Sequence, residues 1–292
     1  MTRSVEFEAI GTHWKIDIDE DIPDAQRDAA VAEVMGRIGI FDRDYSRFRP
    51  DSLVTEMSHR AGTYDLPDDA DPMLRLYQTA YQLTGGLVTP LIGQVLVEAG
   101  YDAEYSLIPK ELHHPPSWEE AIEFQPPKTL VVKRPALLDF GAFGKGYLVD
   151  IVGEILWKNG LRSFCVDAGG DLFHRSADNE PLRVGLEHPQ DFSKVIGIAT
   201  VANRSLCGSA GNRRAWGEFH HIINPQTLSS PRDILAVWTV AKTTMLADAM
   251  ATCLYFTSPD KLSKYFTFDY LIMYPDSSIK TSKGFPAEMF FA

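Results

Sequence analysis

Two glycine-rich turns, each tied to a strand and flanked by carboxylates, constrain this chain more than any other feature. Asp139-Phe140-Gly141-Ala142-Phe143-Gly144-Lys145-Gly146-Tyr147 joins a predicted strand end at 137–140 to a predicted helix over about 145–158. Asp167-Ala168-Gly169-Gly170-Asp171 follows a predicted strand at 163–167. Small residues let a backbone approach a ligand closely, and free N–H groups at a helix start attract anions. Lys145 adds a positive charge where a phosphate can sit, and Asp139 is able to take a metal or a ligand hydroxyl. The first turn has neither the G-x-G-x-x-G spacing nor a GK[ST] ending, so neither standard nucleotide fingerprint is met. Taken singly, each segment is equally well read as a tight turn. Two such turns, each beside a carboxylate, favour a cation site.

Around them the pattern is mixed. Residues 4–18 alternate apolar and polar, with a break at Gly11, which predicts a strand. A helix is expected over 24–41, with Val31, Val34, Ile38 and Phe41 at helical spacing and Asp24 as N-cap. Residues 45–52 read as a turn or loop. A second helix is expected over 72–83, stopping at Gly85-Gly86. Residues 102–127 hold Pro109, Pro115, Pro116, Pro126 and Pro127 and read as a long surface excursion with one short helix at 118–124. Strands are expected at 129–132, 182–186, 196–201 and 236–241, a helix at 244–256, and a last strand at 270–274. There is no regular βαβ alternation, so an α+β fold is preferred over a doubly wound sheet.

The chain has 292 residues, enough for a substantial core, and its 45% apolar and 23% charged residues are ordinary globular composition. The formal charge of -12 disfavours a nucleic-acid partner. A small anionic ligand stays compatible with it, since a metal or clustered N–H groups can reverse the local sign. No run of about 18 uncharged apolar residues is present, so no transmembrane segment is expected. The segment MTRSVEFEAIGTHW shows no signal pattern. The expected location is cytoplasmic, or exported if a leader has been removed. Cys165, Cys207 and Cys253 are too few and too far apart for a disulfide framework and are expected to be buried apolar residues.

Two further foci carry polar chemistry. His220-His221-Ile222-Ile223-Asn224-Pro225 places adjacent histidines on a predicted strand, where they face opposite ways, so only one can serve a given cleft. Histidine can act as a base near neutral pH. Asp248 and Thr252 sit four apart on a predicted helix and share a face. They are hard oxygen donors suited to Mg²⁺, or else a carboxylate near a helix start and a Thr bonded back to its own helix.

Taken in order, these segments resemble the ApbE family, the FAD:protein FMN transferases. The resemblance is carried by Ile10-Gly11-Thr12, Ser46-Arg47-Phe48-Arg49-Pro50-Asp51-Ser52, Gly85-Gly86-Leu87-Val88-Thr89-Pro90-Leu91-Ile92-Gly93, the Asp139 to Asp150 segment DFGAFGKGYLVD, DAGGD at 167–171, Cys207-Gly208-Ser209, HHIINP at 220–225 and ADAMAT at 247–252. It implies a single domain over 1–292 with mixed, largely antiparallel sheets, packed helices and a ligand cleft between them. It also implies that FAD is cleaved with release of AMP, and that FMN is attached through a phosphoester bond to a Ser or Thr of a target flavoprotein. By position, the metal, Mg²⁺, falls on the Ala142 carbonyl, Asp248 and Thr252. FAD contacts fall on Ile10, Phe48, Leu87, Val88, Thr89, Asp139, Lys145 and Ile223. His221, preferred over His220, and Asp248 take the catalytic places. Two other outcomes share the site: FAD hydrolysis to FMN and AMP, or flavin binding without turnover.

The chain departs from the family pattern at three places. Val88-Thr89-Pro90 replaces Phe-Asp-Pro, Asp167 replaces an Asn, and Ile223-Asn224-Pro225-Gln226-Thr227-Leu228 replaces Ile-Asp-Pro-Arg-Thr-Gly.

Overall fold

A computed structural model describes residues 3–290. In chain order its strands are β1 (Arg3–Ala9), β2 (Thr12–Ile18), β3 (Gly62–Asp65), β4 (Ile122–Gln125), β5 (Thr129–Val132), β6 (Phe164–Ala168), β7 (Asp171–Arg175), β8 (Leu182–His188), β9 (Asp191–Val201), β10 (Ser205–Ala210), β11 (Ala215–Trp216), β12 (Phe219–His220), β13 (Ala236–Ala241), β14 (Asp269–Met273), β15 (Ile279–Thr281) and β16 (Ala287–Met289). Its helices are α1 (Asp24–Tyr45), α2 (Leu53–His59), α3 (Asp71–Thr84), α4 (Gly93–Glu98), α5 (Trp118–Ala121), α6 (Gly144–Lys158), α7 (Thr244–Cys253) and α8 (Pro259–Leu262).

The main sheet has eight strands in the order β1-β2-β6-β7-β10-β13-β14-β15. All of its pairings are antiparallel, which matches the α+β expectation. Helices α6 and α7 lie against one face of it, touching β6, β7, β10 and β13, with α1 and α3 behind them. The smaller sheet β16-β9-β8 covers the other face. This layering explains why β13 reads AVWTVA without alternation. Val237 and Ala241 pack toward the helices, while Ala236, Trp238 and Val240 pack toward the small sheet. A strand buried on both faces loses the period-two signal. The third sheet, β3-β5-β4, joins the helix-side core.

Several sequence expectations change. The 4–18 stretch is a hairpin of two strands closed by Ile10 and Gly11 at φ 44° and 73°. Two positive φ values are the signature of a type I′ turn, whose twist suits a hairpin. Pro23, not Asp24, is the N-cap of α1, and the helix runs on to Tyr45. The short helix near 118 ends at Ala121, because residues 122–125 pair with β5 instead. Residues 137–140 form no strand, and β15 and β16 follow the strand that was expected to be last. The three cysteines are buried and free.

Helix α7 is apolar nearly all round, as a helix enclosed by sheet and helices must be, and Asp248 is its one charged residue. Two contacts from α6 hold it. Asp150 caps it, accepting hydrogen bonds from the N–H groups of Thr244 at 2.7 Å and Met245 at 2.9 Å. Gly146 sits where a Cβ would lie 2.6 Å from the Thr244 carbonyl oxygen and 2.7 Å from the Asp248 Cβ. A glycine inside a helix costs about 1 kcal/mol against Ala, and here it lets the two helices close on each other. Gly146→Ala is therefore expected to lower stability by about 1–3 kcal/mol through overpacking. Chemical denaturation checks this, and an unchanged midpoint would mean that the helices separate freely.

Candidate active site

A cavity of about 1100 Å³ is bounded by the β1–β2 turn, the 139–145 turn, the β6–β7 turn, α7 and the 206–223 region. That volume is slightly above the usual range of about 300–1000 Å³ for small-ligand sites. Every position that the family resemblance implied for metal, FAD or catalysis lines it: Ile10, Phe48, Leu87 to Thr89, Asp139, Ala142, Lys145, His221, Ile223, Asp248 and Thr252. His220 does not. Only His220 lies in β12, where its ring is tied to the Pro231 carbonyl at 2.9 Å and to the Ile222 N–H at 3.2 Å.

The 139–145 turn is held by its aromatic residues as much as by its glycines. Phe143 stacks on Tyr77 at 3.9 Å, and Phe140 meets both Tyr45 and Tyr77 edge-on. With both rings buried, Ala142 between them is left on the cavity wall. Asp139 does not stand free. Its Oδ2 accepts from Arg47 Nε at 2.6 Å and its Oδ1 from the Gly141 N–H at 2.8 Å. Its first task is thus to shape the turn, and a direct ligand contact has to share a carboxylate already in use.

Arg47 is the residue the sequence reading passed over. Its side chain is 2% exposed, against 14% for Asp139. It donates to the Tyr101 carbonyl at 2.7 Å and lies over the Phe48 ring at 4.1 Å and the Tyr101 ring at 4.8 Å. Its remaining Nη2 is buried without a partner. Tyr105, from the start of the 102–127 excursion, stacks on the Phe48 ring at 5.4 Å. That excursion therefore helps wall the cavity. The signal was present as a basic residue beside an aromatic in the Ser46 to Ser52 segment, but only the fold shows that its partner is Asp139.

The β6–β7 turn brings Asp171 to Lys145, with which it forms a buried ion pair. Asp167 Oδ1 accepts from the Gly170 N–H at 2.8 Å, closing the turn. Burial lowers the Lys145 pKa, opposed by the Asp248 charge. Burial pushes the Asp248 pKa up to about 6, against the pull of Lys145 and the hydrogen bond from the Gly146 N–H. Burial takes His221 down to about 3, helped by the Arg214, His220 and Lys145 charges, and its Nδ1 has no partner. Its imidazole is neutral in the free protein at ordinary pH. Among the 206–223 residues, the Asn212 amide is also unpaired at both ends.

Thr89 is used differently from a free ligand contact. Its hydroxyl caps the 3₁₀ turn Pro90–Ile92 by accepting from the Leu91 N–H at 3.2 Å.

No cluster of three or more His, Cys, Asp or Glu suited to a metal occurs among the described residues. Asp248 accepts a hydrogen bond at 3.0 Å from Gly146, whereas the Thr252 hydroxyl bonds to no described residue, including its own helix. The Asp248 carboxylate and the free Thr252 hydroxyl line the same cavity as Ala142, and all three offer hard oxygen atoms. Six basic and six acidic side chains line the cavity, so the site is far less negative than the whole chain.

The ApbE family model matches residues 10–271. A protein named FAD:protein FMN transferase from Treponema pallidum is 25% identical over 312 residues, covering 94% of this chain and 85% of that protein. One of the same name from Rhodobacter capsulatus is 26% identical over 268 residues, and the match covers 85% of this chain and 50% of that longer protein. Among solved structures, the ApbE protein from Thermotoga maritima superposes with a TM-score of 0.84 at 18% identity, covering 99% of this chain and 100% of that one. Flavin transferase ApbE from Vibrio cholerae gives 0.80 at 19% identity, covering 97% and 96%.

Proposed function

This chain belongs to the ApbE family, and from that premise we propose that it transfers FMN from FAD to a Ser or Thr hydroxyl of an acceptor flavoprotein, releasing AMP. The observation that carries this reading is that Ala142, Asp248 and Thr252, from two separate segments, line the same cavity as Lys145 and His221. The hard-oxygen set suits Mg²⁺, which keeps only a few protein ligands. When bound there, the ion neutralises diphosphate charge as a bond to phosphorus breaks.

The chain's own residues do the rest. The acceptor oxygen attacks the phosphorus on the riboflavin side of the diphosphate. The bond from that phosphorus to the bridging oxygen breaks, and AMP leaves with that oxygen and the electron pair. Lys145, on the cavity wall in its ion pair with Asp171, is the cation offered to the diphosphate. His221 takes the hydroxyl proton. Its low pKa in the free protein is partly owed to Arg214 and Lys145, and a diphosphate set against those two cations offsets them and raises its basicity.

Incubation with FAD and Mg²⁺, with and without an acceptor flavoprotein, tests the reading. Expected are acceptor-dependent AMP release and a mass gain of one FMN on a Ser or Thr. AMP without acceptor dependence would mark a hydrolase, and FAD binding without AMP a carrier.

A pH dependence follows from Asp248. It must be ionised to hold a cation, and its pKa is raised to about 6, so protons compete with Mg²⁺ below that value. Mg²⁺ affinity is expected to be level above pH 6 and to fall about tenfold per unit below it. Mg²⁺ titrations from pH 5 to 8 measure this, and equal affinity throughout would remove Asp248 from the metal set.

A further inference from the structure

Six Lys and Arg side chains line the cavity, and five of them already have a carboxylate partner. Lys15 pairs with Asp17 at 2.9 Å, Arg47 with Asp139 at 2.6 Å, Arg49 with Asp51 at 2.9 Å and Arg213 with Glu187 at 2.8 Å, while Lys145 pairs with Asp171. The sixth, Arg214, has no ion pair, and its guanidinium makes no hydrogen bond to any described residue.

The β11–β12 hairpin sets its place. Ala215 pairs with His220. One step further along the ladder the His221 N–H donates to the Arg214 carbonyl at 3.1 Å, so Arg214 stands opposite His221. Opposed residues of an antiparallel pair carry their side chains on one face, about 4.5–5.5 Å apart at Cβ. Both of these residues line the cavity. After burial, the Arg214 charge is the next cause of the low His221 pKa, and it also adds to the lowering at Lys145. A cation left without a counter-charge beside another cation raises the free energy of the free protein, and an anion set among them lowers it. Asn212, on the same loop, points to a ligand independently. It lines the cavity, and both ends of its side-chain amide are buried without a partner.

Building on the transfer reaction proposed above, we propose that Arg214 is a catalytic residue that holds the non-bridging oxygens of the phosphoryl group under attack, the one on the riboflavin side. In an in-line displacement the attacking and leaving oxygens lie on opposite sides of phosphorus. A base that takes the acceptor proton stands on the attacking side, and Arg214, opposite His221 on the hairpin, stands there with it. The departing AMP oxygen is on the far side. The planar guanidinium fork binds two non-bridging oxygens at once, and transition-state charge is spread over those oxygens.

FMN and riboflavin differ only by that phosphate, so their affinities isolate the contact. In titrations followed by flavin fluorescence, Arg214→Gln is expected to bind FMN about 10- to 100-fold more weakly, the usual effect of losing charge-assisted hydrogen bonds, and riboflavin as the parent does. Arg214→Lys keeps the charge without the fork and should recover part of the loss. AMP affinity, read by calorimetry, should change little. With FAD, Mg²⁺ and acceptor saturating, Arg214→Gln should transfer FMN about 10²-fold more slowly. Its melting temperature should stay at that of the parent, because the side chain holds no described residue. Equal losses for FMN and riboflavin would make Arg214 a part of the pocket's shape, and a larger loss for AMP than for FMN would put it on the other phosphate. Either result overturns the assignment, as does an unchanged transfer rate. A parent protein without flavin affinity would remove the transfer reaction itself, a result distinct from the others.

Discussion

Replacing Asp248 by Asn is expected to reduce FAD-dependent AMP release by at least about 10²-fold while leaving the fold at least as stable as before. The two halves of this result come from different properties of one side chain. Asn keeps an oxygen able to accept the Gly146 N–H, now bonded to Asp248 at 3.0 Å, but it loses the charge that a divalent cation needs. Burial raises the Asp248 pKa to about 6, so the folded protein binds this proton more readily than the unfolded chain. Stability from this group is therefore greatest in acid and declines as pH rises from the unfolded value near 3.8 to about 6. At pH 7.5 the Asn variant should melt at the same temperature as the parent or higher, and the difference should vanish below about pH 4. A large fall in melting temperature with activity intact would instead make Asp248 a structural residue.

Arg47→Leu is expected to have the opposite profile, with stability failing first. The substitution strips the Asp139 carboxylate of a partner at 2.6 Å while it remains 14% exposed. Breaking a buried pair from one side costs about 3–5 kcal/mol, or roughly 10 °C in melting temperature for a chain of this size. The 139–145 turn then loses its fixed shape, and FAD turnover should fall with it. Adding Asp139→Asn to Arg47→Leu removes the stranded charge and should recover part of the stability, so that the double change costs less than the sum of the two single ones. Calorimetry on the four proteins of this cycle decides it. Additive losses would show that the two side chains do not depend on each other.

The two turns illustrate how far pattern reading reaches. Their glycines and carboxylates were visible as spacing, and both turns do line the cavity. Their internal wiring was not visible. Asp139 meets Arg47 across 92 positions of chain, and Asp171 reaches Lys145 only because β7 lies beside the start of α6. Likewise the HHIINP segment shows two histidines but not which one faces inward. The answer depends on where β12 stops, and it stops after His220. Asp150 closes the DFGAFGKGYLVD segment, but its capping of α7 depends on helix packing and not on any local signal.

Local periodicity, turn chemistry and the order of the motifs determined the family, most of the helices and strands and the residues that gather at the site. These are properties of neighbours in the chain, and neighbours interact before the chain is folded. Tertiary structure alone decided which carboxylates are spent on ion pairs. It also buried His221 on the cavity wall, which keeps its imidazole neutral. Those outcomes depend on burial and on contacts between residues distant in sequence, and neither exists until the sheet layers have closed around α6 and α7.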